Sequence, residues 1–191
     1  MQHKWHYQDE SERRKWQNPE SILKRIGLKT GQTLVDIGCG EGFFALPAAR
    51  IVGPAGFIYA SDISTEALET LQYKAEVEKL GNIRISAGAA EELTMCEGCA
   101  DVVFMGMVLH DFKDPAAVLK KALKMLKTRG TLIDLDWKKV TTPIGPPLNI
   151  RFDEGLASQM IQQAGFKVQW VEDNGQYHYI VAAVPSHSSE N

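Results

Sequence analysis

Apolar and polar positions along the chain alternate between two periods. From residue 33 onward, short apolar runs of strand length are separated by stretches with helical spacing. Thr33–Ile37 is the first run, with Asp36 near its end. Phe43–Val52 follows as a helix with Phe44, Leu46, Ala48 and Ile51 apolar, and Gly53-Pro54-Ala55-Gly56 turns the chain into a strand over Phe57–Ser61. Ser64 caps a predicted helix over Thr65–Leu80, with Glu66 in its first turn and Gly81 just past its end. Ile83–Ala87 and Asp101–Met105 read as the third and fourth strands. Asp114-Pro115 supplies an N-cap and a first-turn proline for a helix reaching Lys127, and Arg129-Gly130 turns into a fifth strand, Thr131–Asp136. Buried strands joined by helices imply a parallel sheet with right-handed crossovers. The end of the chain differs. Asp153 caps a helix to Ala164, Gly165 stops it, and Phe166–Glu172 and Tyr177–Val184 are separated only by Asp173-Asn174-Gly175, a hairpin signal. The predicted fold is α/β: a doubly wound seven-stranded sheet, mostly parallel, finished by an antiparallel hairpin, with helices on both faces.

Residues 1–30 form a separate piece, an N-terminal helical extension ahead of a domain over 31–185 and a polar tail over 186–191. Asn18-Pro19-Glu20 opens a helix ending at Gly27. Ahead of it lie Trp5, His6, Tyr7, Arg13, Arg14 and Trp16. Aromatic side chains in so polar a stretch need a surface to cover, either the side of the domain or, as a lid, the ligand site.

Composition narrows the class. With 191 residues, 44% hydrophobic and 24% charged, the chain has material for one globular domain and one sizeable core. A net charge of −3 gives no basic footprint, so no nucleic-acid partner is expected. No apolar run approaches the roughly 20 residues that span a bilayer, so no membrane partner is expected either. Met1 to Trp16 has no apolar segment of the secretory kind. A cytoplasmic setting follows as the expectation, with Cys39, Cys96 and Cys99 as free thiols. Cys96-Glu97-Gly98-Cys99 has CxxC spacing, but a zinc site needs about four ligands and no second pair follows. It reads as a turn before a strand, and no metal is expected.

The candidate chemistry begins at Asp36-Ile37-Gly38-Cys39-Gly40-Glu41-Gly42. Ligands of open α/β sheets bind beyond the carboxyl ends of the strands, and glycines there let a ligand approach the backbone. Dinucleotide folds use GxGxxG around a pyrophosphate. Here the third glycine comes one residue early, and Glu41 sits inside the loop, where its charge would repel a pyrophosphate and accept a cation. No GxxxxGK[ST] is present. Asp62 ends the second strand and suits the two hydroxyls of a ribose.

Leu34 to Gly42 resembles motif I of the class I S-adenosylmethionine (SAM)-dependent methyltransferases. Asp62 resembles their ribose-binding acid, Ala100 to His110 their fourth strand and the segment after it, and Lys124 to Leu132 the approach to their fifth strand. The similarity runs from about residue 20 to 184 and is nearest to the group containing the ubiquinone and menaquinone biosynthesis methyltransferases. The resemblance implies a Rossmann-like fold and SAM as cofactor. It implies that Asp36 orders the loop or reaches the methionine amino group, that Gly38, Cys39 and Gly40 pass the methionine part, and that Asp62 holds the ribose. It places Ile63 on the adenine and Met105 at the same site. The family's Gly-Asp-Ala motif reads Gly88-Ala89-Ala90-Glu91 here. Its adenine-binding acid is thus replaced by Ala89, leaving the backbone near Ala90 or the side chain of Glu91 for that contact.

Methyl transfer from a sulfonium is an in-line displacement, so positioning is the main requirement and a base is needed only for a protonated nucleophile. His110 and Asp111 after the fourth strand, and Asp134, Asp136, Trp137 and Lys138 at the end of the fifth, are the candidates. His110 has the best intrinsic pKa for a base, and it equally suits a wall of the site. Met105, Met107, Val108, Leu109, Phe112 and Trp137 make this edge apolar, which suits a small-molecule methyl acceptor. The loop Thr141–Pro147 follows, with Arg151 as an anion contact. A homodimer stays open. The rival readings are a non-catalytic SAM-binding or interaction protein and an NAD-dependent oxidoreductase; the loop spacing counts against the latter.

Overall fold

A computed structural model describes residues 10–186. The N-terminal residues Trp5, His6 and Tyr7, and the tail beyond Ser186, lie outside the described residues. Seven strands form one sheet: β1 (Thr33–Ile37), β2 (Phe57–Asp62), β3 (Ile83–Ala87), β4 (Ala100–Gly106), β5 (Leu126–Trp137), β6 (Phe166–Asn174) and β7 (His178–Pro185). Their order is β3-β2-β1-β4-β5-β7-β6. The first five are parallel, and β7 runs antiparallel between β5 and β6. The order reverses between β1 and β4, so the chain opens a crevice at their carboxyl ends, the place where such sheets take ligands.

Helices cover both faces. α3 (Ala45–Val52) and α4 (Thr65–Val77) lie on one side, where Phe44, Leu46, Leu68 and Leu71 pack against Leu34, Ile58 and Phe104. α5 (Pro115–Met125) and α6 (Glu154–Gln163) lie on the other, where Val118, Leu119 and Ile161 pack against Val35, Val103 and Leu132. Alternate residues of β1 thus go to opposite cores, as the two-residue strand period requires. The N-caps act as the sequence implies: Ser64 accepts from Ala67 N, Asp114 from Ala117 N and Asp153 from Leu156 N. At the N-terminus, α1 (Glu10–Trp16) precedes α2 (Pro19–Arg25), whose Ile22 and Leu23 are buried in the α3-side core.

Several boundaries differ from the sequence reading, each for a local reason. The helix expected from Phe43 starts at Ala45, because residues before it are spent in turns. α4 stops at Val77, three residues early, where Lys79 takes a left-handed φ of 57°. α5 gives way to β5 at Leu126. Leu126 pairs with Ala100, and the register then slips so that Thr131 pairs with Val102. Gly130 allows the slip: a Cβ there would sit 2.7 Å from the Ala100 carbonyl oxygen. Pairing in the hairpin runs on to Asn174–His178, which moves the turn to residues 175–177.

The cysteine expectation is corrected. Cys96 and Cys99 form a disulfide, and Cys39 is the free thiol among the described residues. The turn they span brings their Cα atoms to 6.0 Å, within bridging range. Compartment alone points to thiols, whereas the turn geometry permits the bridge.

Candidate active site

The glycine loop is tied to the end of β2. Gly38 N and Cys39 N both donate to Ser61 O, at 2.8 and 2.9 Å, and Gly40 N donates to Asp62 Oδ2 at 2.8 Å. Gly38 has φ 74°, and a Cβ on it would lie 2.8 Å from Val108 Cγ1, so only glycine lets β1 turn against the segment after β4. Asp62 accepts from Ser64 N through its other oxygen, at 2.9 Å. A carboxylate has about four acceptor sites, so the two backbone bonds leave capacity for a pair of ribose hydroxyls.

Asp36 lies beneath this loop, 2% exposed, and its Oδ2 has no hydrogen-bond partner among the described residues. Burial, and then the charge of Asp62, push its pKa up to about 7, against a smaller opposing effect of Arg13. A buried carboxyl with an unused oxygen beside a second acid is suited to a cation. The donor set, a buried acid suited to positive charge and Asp62 with capacity left for hydroxyls, therefore fits SAM. Ile63 is 54% exposed just past Asp62, an apolar surface for a flat base.

The surroundings of Glu41, Glu91, Ala89, Ala90, Met105 and Cys39 are also defined. Glu41 does not aim its charge into the loop: Lys74 Nζ lies 3.1 Å from its Oε2 and also reaches Glu10. The negative charge that disfavours a pyrophosphate at this loop therefore comes from Asp62 and the Asp36 carboxyl rather than from Glu41. Glu91 Oε1 accepts from Lys113 N at 3.0 Å and Asp114 N at 3.3 Å, so this carboxylate ties the β3–β4 loop to the start of α5. Ala89 and Ala90 are half-buried, and Ala89 O receives Glu92 N and Leu93 N. The Met105 side chain is fully buried in the α5-side core. Cys39 is buried with its thiol against Gly40 O, and burial raises its pKa well above the ordinary range.

The polar candidates meet at the ends of β4 and β5. His110 sits in a single 3-10 turn, Leu109–Asp111, and its Nδ1 lies 2.8 and 2.9 Å from the two oxygens of Asp136. Trp137 N also donates to Asp136 Oδ1, at 2.7 Å, which fixes the carboxylate. With Nδ1–H donated to Asp136, the neutral ring keeps its lone pair on Nε2. That nitrogen is buried with no hydrogen-bond partner among the described residues; Asp111 Oδ1 is 3.6 Å away. Burial lowers the His110 pKa, but the charge and hydrogen bond of Asp136 outweigh it, and the net shift is upward. Asp134 is fully buried with both oxygens unpartnered among the described residues. Burial, and then the charge of the nearby Asp136, raise its pKa well above the ordinary carboxylate range.

Arg151 is not placed for an anion. Its Nε donates to Pro146 O, its two terminal nitrogens to the carbonyls of Lys138, Val140 and Ile144, and to Thr142 Oγ1. Those five bonds use all five guanidinium N–H groups. Arg151 instead organises the proline-rich loop, whose Gly145 lies against the Trp137 ring.

Sequence reasoning missed α1, whose side chains reach this edge. Trp16 stacks on His178 with ring centroids 5.3 Å apart and contacts Trp137 at 5.7 Å. Arg13 lies 3.9 Å over the Phe43 ring and donates to Gln17 Oε1 at 2.7 Å. The available signal was the pair Trp16 and Arg13 in a polar segment, which calls for a surface to cover without specifying which.

Comparison with known proteins agrees with this geometry. Residues 28–182 match the family model described as a methyltransferase domain. Demethylmenaquinone methyltransferases are among the curated relatives. That of Geobacillus kaustophilus is 29% identical over 127 residues, covering 66% of this chain and 53% of the relative. That of Lactococcus lactis is 33% identical over 122 residues, covering 64% and 48%. The chain thus spans about half the length of these relatives. A SAM-dependent methyltransferase from Aquifex aeolicus superposes with a TM-score of 0.86 at 28% identity, covering 93% of this chain and 98% of that one. With 155 residues inside the family model (182 − 28 + 1), and with the Aquifex aeolicus methyltransferase superposing over 93% of its length, the chain belongs to the SAM-dependent methyltransferase family.

Proposed function

We propose that this protein transfers a methyl group from SAM to a small-molecule acceptor at the carboxyl edge of β4 and β5. The observation that carries the reading is the buried, half-unpartnered Asp36 carboxyl beneath the glycine loop, a site for positive charge with Asp62 beside it for hydroxyls. SAM supplies a methyl group made electrophilic by its sulfonium.

The chain's own residues do the rest. The loop and Asp36 orient the donor, and the buried surroundings keep water from the reacting atoms. His110 acts as the base that takes a proton from the acceptor, through Nε2. Asp136 is its positioning residue: it fixes the ring tautomer and stabilises the protonated imidazole. Asp111, 3.6 Å from Nε2, adds negative charge near the same nitrogen. The relatives named as demethylmenaquinone methyltransferases act on a small molecule, which supports the same class of acceptor here.

Calorimetry with SAM and S-adenosylhomocysteine, followed by a metabolite screen with methyl-labelled SAM, tests the proposal. Binding of both nucleosides and transfer of label to a small molecule are expected. No measurable affinity for either nucleoside would refute it.

A further inference from the structure

The Cys96–Cys99 disulfide is a reactive group that the reaction outlined above does not use. It encloses only Glu97 and Gly98, at a sequence separation of 3. The stability a bridge confers grows with the length of loop it closes, so one this short does little as a staple for the fold. It is open to reagents: Glu97 and Gly98 are exposed, and the two cysteines are half-buried. Cys39 differs in both respects. It is buried with its thiol against Gly40 O, and burial raises its pKa well above the ordinary range, so it offers no thiolate near neutral pH.

The bridge closes one end of segment 88–99, which joins β3 to β4 without helix or strand. The other end lies against Asp62: Gly88 N donates to Asp62 O at 3.0 Å, and Ala89 and Ala90 follow. Between its ends the segment runs along α5. Glu91 accepts from Lys113 N and Asp114 N just before that helix, and Lys121 Nζ reaches Glu92 O at 3.4 Å midway. Gly98 N and Cys99 N donate to Lys124 O and Met125 O at its end, at 2.9 and 3.0 Å. Ala90, Met95, Cys96 and Cys99 pack on the α5-side core. One covalent bond and a short series of hydrogen bonds thus fix the path of the chain from β4 back to the edge of Asp62.

We infer that Cys96 and Cys99 form a thiol–disulfide exchange site for a dithiol reductant, and that its state sets how firmly segment 88–99 is held for the nucleoside. The inference rests on the methyltransferase reading, since that reading places the nucleoside at Asp62 and Ala89–Ala90. A thiolate of the reductant attacks one bridge sulfur and forms a mixed disulfide, and the other cysteine leaves as a thiolate and takes a proton. The second thiol of the reductant then attacks the mixed disulfide and releases the first cysteine. Two electrons and two protons pass to Cys96 and Cys99, and the dithiol ends as a disulfide. A segment loosened in this way must be ordered again when the nucleoside binds, and that cost lowers the affinity of the reduced protein.

Dithiothreitol is the probe, applied to the native full chain and then removed. Thiols are counted after denaturation with a chromogenic disulfide reagent. The untreated chain should show one thiol, Cys39, and the treated chain three. By calorimetry, S-adenosylhomocysteine should bind the reduced protein about fivefold or more weakly, and oxidised glutathione should restore the affinity. Amide hydrogen exchange over 88–99 should quicken on reduction with no nucleoside present. The double variant Cys96→Ser, Cys99→Ser should bind like the reduced parent and ignore dithiothreitol, which separates the bridge from Cys39. Thermal melts establish that it is folded, and the reduced parent carries the test if it is not. Three thiols in the untreated chain, reduction only after unfolding, or equal measurable affinity in the two states would overturn the inference. Native reduction with faster amide exchange, but no nucleoside affinity in either state, overturns the methyltransferase reading and leaves the exchange site standing.

Discussion

Asp36 should make the protein less stable as pH rises, and replacing it should show by how much. Its carboxyl is fully buried and its pKa moves from 3.8 to about 7. At 1.36 kcal/mol per unit, holding it ionised in the fold costs roughly 4 kcal/mol, a large share of an ordinary domain stability of about 5–15 kcal/mol. The sign follows from proton counting. Between about pH 4 and pH 7 the folded state binds more protons here than the unfolded state, so stability falls as pH rises through that window. Asp36→Asn keeps the shape and removes the titration. In urea unfolding, the variant should differ little from the parent near pH 4 and exceed it by about 4 kcal/mol near pH 8. A stability difference that stays constant from acid to alkaline pH would refute the reasoning. The same substitution should cost function. A cationic ligand lowers the Asp36 pKa, so binding releases a proton near neutrality. Calorimetry in buffers of unequal ionisation enthalpy should detect that proton for the parent and lose it, together with most of the affinity, for the variant.

Four further substitutions have defined outcomes. His110→Ala should lower kcat by about 10²–10⁴ if the base is required, and full turnover at saturating acceptor would eliminate that role. Asp136→Asn removes the charge that outweighs burial, so the His110 pKa falls and the acidic limb of the pH–rate profile moves to lower pH under a reduced plateau. Asp134→Val removes a buried carboxyl with no partner among the described residues, and should stabilise by about 1–3 kcal/mol, a rise in Tm of roughly 2–4 °C per kcal/mol. Gly38→Ala should cost at least about 1–2 kcal/mol for its left-handed φ of 74°, plus the displacement of Val108, and should weaken nucleoside binding in calorimetry.

The parallel core was legible because its signals are local. Asp36, the glycines and Asp62 lie close in sequence, and Ser64, Asp114 and Asp153 cap helices a few residues away. The hairpin was legible for the same reason, though its turn moved once the pairing of Asn174 with His178 competed with the turn residues. What stayed hidden depends on distance in the chain. Glu41 looked free until Lys74, 33 residues on, was seen to reach it. Glu91 looked like a substitute for the adenine-binding acid until it met the backbone at Lys113 and Asp114. The cluster of Trp16, Trp137 and His178 joins residues over 160 positions apart (178 − 16 = 162), and no period or motif links them. Cys96 and Cys99 are neighbours, but their bond depends on turn geometry that spacing alone leaves open.

Arg151 governs how this site can change. It holds residues 138–146 through five bonds, four of them to main-chain carbonyls. A carbonyl is present whatever side chain its residue carries. Most of the loop's side chains are therefore free to vary while its course over Trp137 persists, with Gly145 fixed by its contact with the indole ring. One cation and one glycine thus suffice to keep the path of the loop while its other side chains change. The same two residues are the ones that any redesign of the loop should leave untouched.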